Sequence, residues 1–142
     1  MKISTRGRYG TRLLLELALH QGEGPVPLKD ISQRQRIPLK YLEHVITPLI
    51  AGSILRSARG AGGGILLAKA PEHIKLSDVI RLLEGPIGLV DCVNSPEICD
   101  RSDSCVTRDV WCEIKEAMNK VLNSTTLQDL LERHRKKELS SR

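Results

Sequence analysis

Phenylalanine is absent from this sequence, and its 142 residues hold only one Trp and two Tyr. A core with so few large rings has to be assembled from Leu, Ile and Val. No 18-residue apolar stretch occurs, and no apolar N-terminal run leads into a signal-peptide cleavage pattern. A membrane-spanning helix and export are therefore not expected; the sequence reads as soluble and cytoplasmic. Catalytic groupings are missing as well. The four His stand apart at positions 20, 44, 73 and 134, each a surface or structural residue by its setting, so no enzyme and no small-molecule substrate are expected. The Gly-rich run Arg59-Gly-Ala-Gly-Gly-Gly64 lacks the Lys-Ser/Thr of a nucleotide loop and precedes a strand-like segment, which excludes a nucleotide site.

What is present is unevenly distributed. The net charge is +5, yet residues 1–71 carry 11 Lys and Arg against 4 Asp and Glu, while residues 72–142 carry 11 against 13. All of the basic excess lies in the half without cysteine. Such asymmetry is the electrostatic footprint of a nucleic-acid surface, and it favours double-stranded DNA as the partner once the helix pattern is added.

That pattern predicts a winged helix-turn-helix. Lys2, Ser4, Arg6 and Arg8 put short donors and cations at a helix start, a composition suited to phosphate contacts or, for Ser4, to a cap. Leu13, Leu14, Leu17 and Ala18 follow at helical spacing, and Leu15 and Leu19 widen the stripe, so this helix should be covered on two sides, with a second subunit as one candidate cover. A short helix after Pro27 and a turn through Arg34–Ile37 lead to a second helix. Pro38 suits its first turn, Leu42, Val45, Ile46 and Leu49 face inward, and Lys40, Tyr41, Glu43 and His44 face outward as recognition residues. Pro48 should bend or end that helix early. Ser53–Ser57 and Ile65–Ala68 flank the Gly-rich run as a β-hairpin wing. Arg59, with Gly60 beside it at the tip, suits a narrow minor groove.

Further on, Ser77 reads as the cap of a helix whose Val79, Ile80 and Leu83 pack on the wing, stopped by Gly85-Pro86. A long amphipathic helix from about Thr107 to Leu122 has Val110, Trp111, Ile114, Ala117, Met118, Val121 and Leu122 on one side, the stripe of a homodimer interface. Thr125 and Gln128 suggest a capping box for a short last helix, and His134–Lys137 a frayed tail. The fold class is thus mainly α with a small β-hairpin wing. Residues 1–85 form the DNA-binding domain, 86–106 a cysteine loop, and 107–142 the dimerisation helix and C-terminal tail.

All four cysteines fall between Cys92 and Cys112, with Cys92, Cys99 and Cys105 on a stretch lacking helix or strand periodicity. Thiolates gathered on a loop can converge on a soft metal centre. Spacings of seven and six residues lack the C-x2-C knuckle usual for zinc, although a structural zinc or thiol-redox site is the alternative. Cys112 is a chemical candidate for a fourth ligand, but two helical turns separate it from Cys105, about 10 Å along the axis at ~1.5 Å per residue. Asp91, Asp103, Glu43, a partner-subunit group or solvent remain open for that place.

Taken together, Lys2-Ile-Ser-Thr-Arg-Gly-Arg-Tyr9, Tyr41-Leu-Glu43, Arg59-Gly-Ala-Gly-Gly-Gly64 and the Cys92/Cys99/Cys105 loop resemble the IscR-type winged-helix regulators, which include IscR, NsrR and CymR. The similarity runs from Met1 to about Leu131. It implies a homodimeric transcription regulator with an iron–sulfur cluster on Cys92, Cys99 and Cys105, two-iron in preference to four-iron. It also implies base readout at Tyr41 and Glu43 and a wing arginine at Arg59. Two departures stand out: Lys40 replaces a frequent Ser, and Arg108 stands where IscR has a histidine three residues after its last cysteine. Leu83-Glu-Gly-Pro-Ile87 and Ser124-Thr-Thr-Leu127 look closer to CymR, which leaves a repressor acting through a partner protein as a further alternative.

Overall fold

A computed structural model describes residues 2–141; Met1 and Arg142, the outer ends of the expected first and last regions, lie outside them. Helix α1 (Thr5–Leu19) starts where the Ser4 hydroxyl accepts from the Gly7 N–H, and it buries Leu13, Leu14, Leu17 and Ala18. Helix α2 (Leu28–Gln35) ends at Arg36 in the left-handed region, φ 54°, which turns the chain sharply into α3 (Leu39–Ala51). The Ser32 hydroxyl donates to the Ile37 carbonyl at 2.6 Å and pins that turn. Pro38 occupies the cap of α3, one place before its first turn.

Of the two outcomes open to Pro48, a bend or an early end, the early end does not occur: α3 runs on to Ala51. A proline there removes one N–H, but Leu49 is fully buried and the Gly52 N–H bonds the Pro48 carbonyl at 2.9 Å, so packing holds the last turn. Ile46 on the same helix is only half-buried.

Strands β1 (Leu55–Ala58) and β2 (Gly64–Leu67) pair antiparallel with Leu55 opposite Leu67, forming the wing. Val26 bridges Ile65 from the other side, exchanging both backbone hydrogen bonds at 3.0 and 2.9 Å. Gly64 has to be glycine here, since a Cβ would stand 2.3 Å from the Val26 carbonyl oxygen.

Helix α4 (Leu76–Glu84) has its cap at Lys75, not Ser77, and packs mainly on α1, α3 and α6 rather than on the wing. Its Leu83 reaches α1 because Gly10 is bare: a Cβ there would meet the Leu83 Cδ1 at 2.3 Å. The short α5 (Asp91–Asn94) and a 3-10 turn (Pro96–Ile98) precede α6 (Val106–Ser124), and α7 (Leu127–Ser140) ends the chain.

The last helix departs most from its sequence reading. Its capping box is Thr126 with Asp129, one residue beyond Thr125 and Gln128, and the expected frayed tail is helical through Ser140. Leu127 and Leu131 are buried in the same core as α1, α3 and α4, so α7 supplies α1's second cover from within the chain. Asp129 carries its carboxyl below the usual range because the Thr126 backbone N–H and hydroxyl bond it. Among the described residues no helix is long and apolar enough to cross a membrane.

Candidate nucleic-acid interface and cysteine segment

The second turn of α1 lies beside the first turn of α3. Tyr9 and Tyr41 meet edge to face, centroids 5.3 Å apart at 84°, which makes Tyr41 half-buried rather than the fully outward residue expected. Arg12 sits over the Tyr9 ring at 5.5 Å and donates to the Gln35 side chain at 3.1 Å and to the Gln35 carbonyl. Around this joint Lys2, Ser4, Arg8, Pro38, Lys40, Glu43 and His44 are all exposed. Ser4 is also the cap of α1, and its hydroxyl is engaged by Glu84. At the wing tip Arg59 and Gly60 are exposed, and Gly60 takes φ 98°, a conformation that glycine adopts at little cost.

Beneath this surface lies a carboxylate that sequence reasoning missed. Glu16 is 6% exposed on the apolar stripe of α1. It accepts from the Gln35 amide at 2.8 Å, from Arg34 at 3.2 Å, and pairs with His20 at 3.2 Å. A buried carboxylate with this many donors ties α1 to the end of α2, and loss of Arg34 would remove its guanidinium partner. A lone Glu inside an apolar stripe was the available signal. Arg12 and Gln35 carried none.

The cysteine segment is more structured than a plain loop. Cys92 lies on α5, Cys99 caps the 3-10 turn, and Cys105 caps α6. Ser102, nearly buried, donates from its hydroxyl to the Pro96 carbonyl at 2.7 Å. Arg108 donates to the Cys92 carbonyl at 3.1 Å and Lys115 to Asn94 at 2.7 Å, lashing α5 to α6. Arg108 therefore has a structural task at the place where a histidine ligand would stand.

All four thiols are free; Cys99 is exposed and the others half-exposed. The Cys105 thiol is pushed below its ordinary value, first by the Thr107 hydroxyl 3.2 Å away and then by the Arg108 N–H at the start of α6, against burial and Asp109. In kind, these donors suit an iron–sulfur group. In position they are an open set: among the described residues no three Cys, His, Asp or Glu gather where one metal ion could be held, so the expected convergence is not preformed in the single chain. Cys112 lies half-exposed on α6 beside Trp111.

Helix α6 lacks any buried residue along its nineteen positions. Val106, Val110, Ile114 and Val121 are 75%, 48%, 36% and 63% exposed, and Met118 and Leu122 line an apolar trough with Ile3 and Ile87.

A basic lobe of three helices with a flanking hairpin, joined to a long helix with an uncovered apolar face, defines the class of winged-helix regulators. The comparisons specify the family. Residues 3–133 match the Rrf2 model, described as an iron-dependent transcriptional regulator. Protein rrf2 of Nitratidesulfovibrio vulgaris is 45% identical over 92% of this chain and 87% of its own. The solved structure of CymR from Bacillus subtilis is 41% identical with a TM-score of 0.79, covering 93% of this chain and 97% of that one. IscR of T. potens is 40% identical with a TM-score of 0.78, over 94% and 88%. The chain belongs to the Rrf2 family of transcriptional regulators, whose members are regulators and not enzymes.

Proposed function

We propose that this chain binds a double-stranded DNA operator as a homodimer, acts in the cytoplasm as a repressor, and is controlled through its cysteine segment. The observation that carries the reading is the Tyr9–Tyr41 joint, which sets the cationic start of α1 beside the start of α3. In this reading Pro38, Lys40, Tyr41, Glu43 and His44 enter the major groove, with Tyr41 braced by Tyr9 so that its hydroxyl is aimed with little loss of freedom. Lys2 and Arg8 hold phosphates; Ser4, at the DNA-facing start of α1, fixes the arm between them because both its donors are committed to Glu84. Arg59 with Gly60 reaches the minor groove. Residues 1–85 then read DNA, 86–106 sense, and 107–142 dimerise through the exposed face of α6.

Cys92, Cys99 and Cys105 would hold an iron–sulfur cluster, two-iron in preference to four-iron, with the segment closing to bring them together. The chemistry such a group supplies is a redox-labile centre. What the chain's own residues do is tether: Arg108 and Lys115 tie α5 to α6, so any change in the segment is felt by the dimerisation helix. A second reading, a thiol-redox regulator without a cluster, is favoured by the acidified Cys105 thiol at a helix start and by the likeness to CymR.

The test is purification without oxygen, followed by iron and sulfide content, the visible spectrum, and operator binding before and after chelation. Iron and sulfide at cluster stoichiometry, with affinity changing on their removal, support the first reading. A colourless protein whose affinity changes with thiol oxidation supports the second. A chain that binds no duplex in either state ends both.

A further inference from the structure

Glu84, the last residue of α4, reaches the N-terminal arm across 80 positions of sequence. Its Oε1 accepts from the Ser4 backbone N–H at 2.9 Å and from the Ser4 hydroxyl. That hydroxyl in turn accepts from the Gly7 N–H at 3.3 Å, so one carboxylate oxygen steadies the cap on which α1 starts. The space it occupies exists because residue 7 has no side chain: a Cβ there would stand 2.3 Å from the same oxygen and 2.9 Å from Ile3 Cγ2.

The other side of Glu84 leads to the cysteine segment. Gly85 follows at φ 81°, and the exit linker Pro86–Gly88 lines one cleft with Lys2, Ile3 and Glu84. Ile3 and Ile87 then share a trough with Ala117, Met118, Val121 and Leu122 of α6. The arm Lys2–Ser4 therefore lies where α4, the linker and α6 come together, and Glu84 bonds it to α4.

We infer that Glu84 is a positioning residue for DNA binding: it sets the N-terminal arm for phosphate contact and passes displacements of the linker and α6 to that arm. This rests on the DNA-binding reading above. The physical route is short. Moving the linker turns Gly85 and shifts the carboxylate, and the Ser4 N–H and hydroxyl lose their shared acceptor. The start of α1 then loosens, together with Lys2 and Ile3.

The test uses the full chain and a duplex selected against it from a random-sequence pool. Glu84→Ala should weaken binding roughly tenfold, within the ~5–150-fold span of site-to-site couplings, and Glu84→Gln, which keeps the shape and one acceptor, by less. The salt dependence of binding should fall by about 0.9 in log–log slope, the loss of one phosphate contact. Lys2→Ala should add little on top of Glu84→Ala. Trp111, the sole Trp and a residue of α6, should change its emission on duplex binding in the parent chain and not in Glu84→Ala. Gly7→Ala, which displaces the carboxylate, should reproduce the effect. Unaltered affinity and slope in Glu84→Ala would overturn the inference. So would weaker binding in which Lys2→Ala stays additive and the Trp111 response persists, because Glu84 would then be a helix cap alone. A parent chain that binds no duplex overturns the DNA-binding reading itself, and this inference with it.

Discussion

Helices α1 and α6 are the two long helices that organise the molecule, and they are built to opposite ends. Seven of the fifteen residues of α1 are buried, and the helix touches α2, α3, α4, α7 and the wing. None of the nineteen residues of α6 is buried, although its apolar stripe is as regular. The difference lies in where each finds cover. α1 is completed within the chain, by α7 on the side that α3 and α4 leave free. α6 meets α4 and α5 and leaves Val106, Val110, Ile114 and Val121 in water. Apolar stripes of similar pattern can thus mean a core or an interface, and only the count of intrachain neighbours tells them apart.

The sharpest way to break that contrast is to charge the uncovered stripe. Val110→Glu with Ile114→Glu should abolish dimers in sedimentation and weaken operator binding by about 100-fold or more, since two half-sites no longer act together. The melting of the lobe should hardly move. The converse is Leu14→Ala in α1, which should cost about 3 kcal/mol of unfolding free energy by denaturant titration, because a fully buried Leu leaves a cavity. Arg59→Ala at the wing tip should reduce operator affinity roughly tenfold, about 1.4 kcal/mol, with no change in melting.

Smaller effects refine the picture at α7. Thr126→Ala should destabilise the lobe by about 1 kcal/mol through loss of the cap. Asp129's carboxyl is depressed in the folded chain, so its contribution is present above the unfolded carboxylate range and disappears as the pH falls through the lower folded value. Acid melting curves of the parent and Asp129→Asn should converge below that point and separate above it. In the cysteine segment, the Cys105 thiol should be alkylated at neutral pH faster than Cys112, with Thr107→Ala slowing it, as peptide mapping would register.

Local sequence signals carry through into the fold. The Gly-rich run between apolar segments became the wing, Gly85-Pro86 stopped α4, and Leu42, Val45 and Leu49 faced the core. These rest on periodicity and on backbone freedom, which neighbouring residues determine. The two caps differ from the sequence expectation for different reasons: Thr125 and Thr126 are adjacent hydroxyls and the second one caps α7, whereas α4 is capped two residues before Ser77, at Lys75, whose side chain makes no capping bond. Tyr41 was placed on the right helix, but a ring on the outer face can still lean on another helix, and Tyr9 is 32 positions away. The three thiols were legible as a chemical set; whether they meet depends on the fold of the segment, which spacing does not specify.

The sequence by itself determined the helices and the hairpin, the basic character of the first half and the clustering of the four thiols in one segment, because these follow from residue type and short-range order. The tertiary structure decided which stripe would be closed and which left open, tied Glu16 to the end of α2, and brought Glu84 to Ser4 at the start of α1. Those outcomes depend on contacts between distant segments, whose free energies are settled only when all the competing surfaces are folded together.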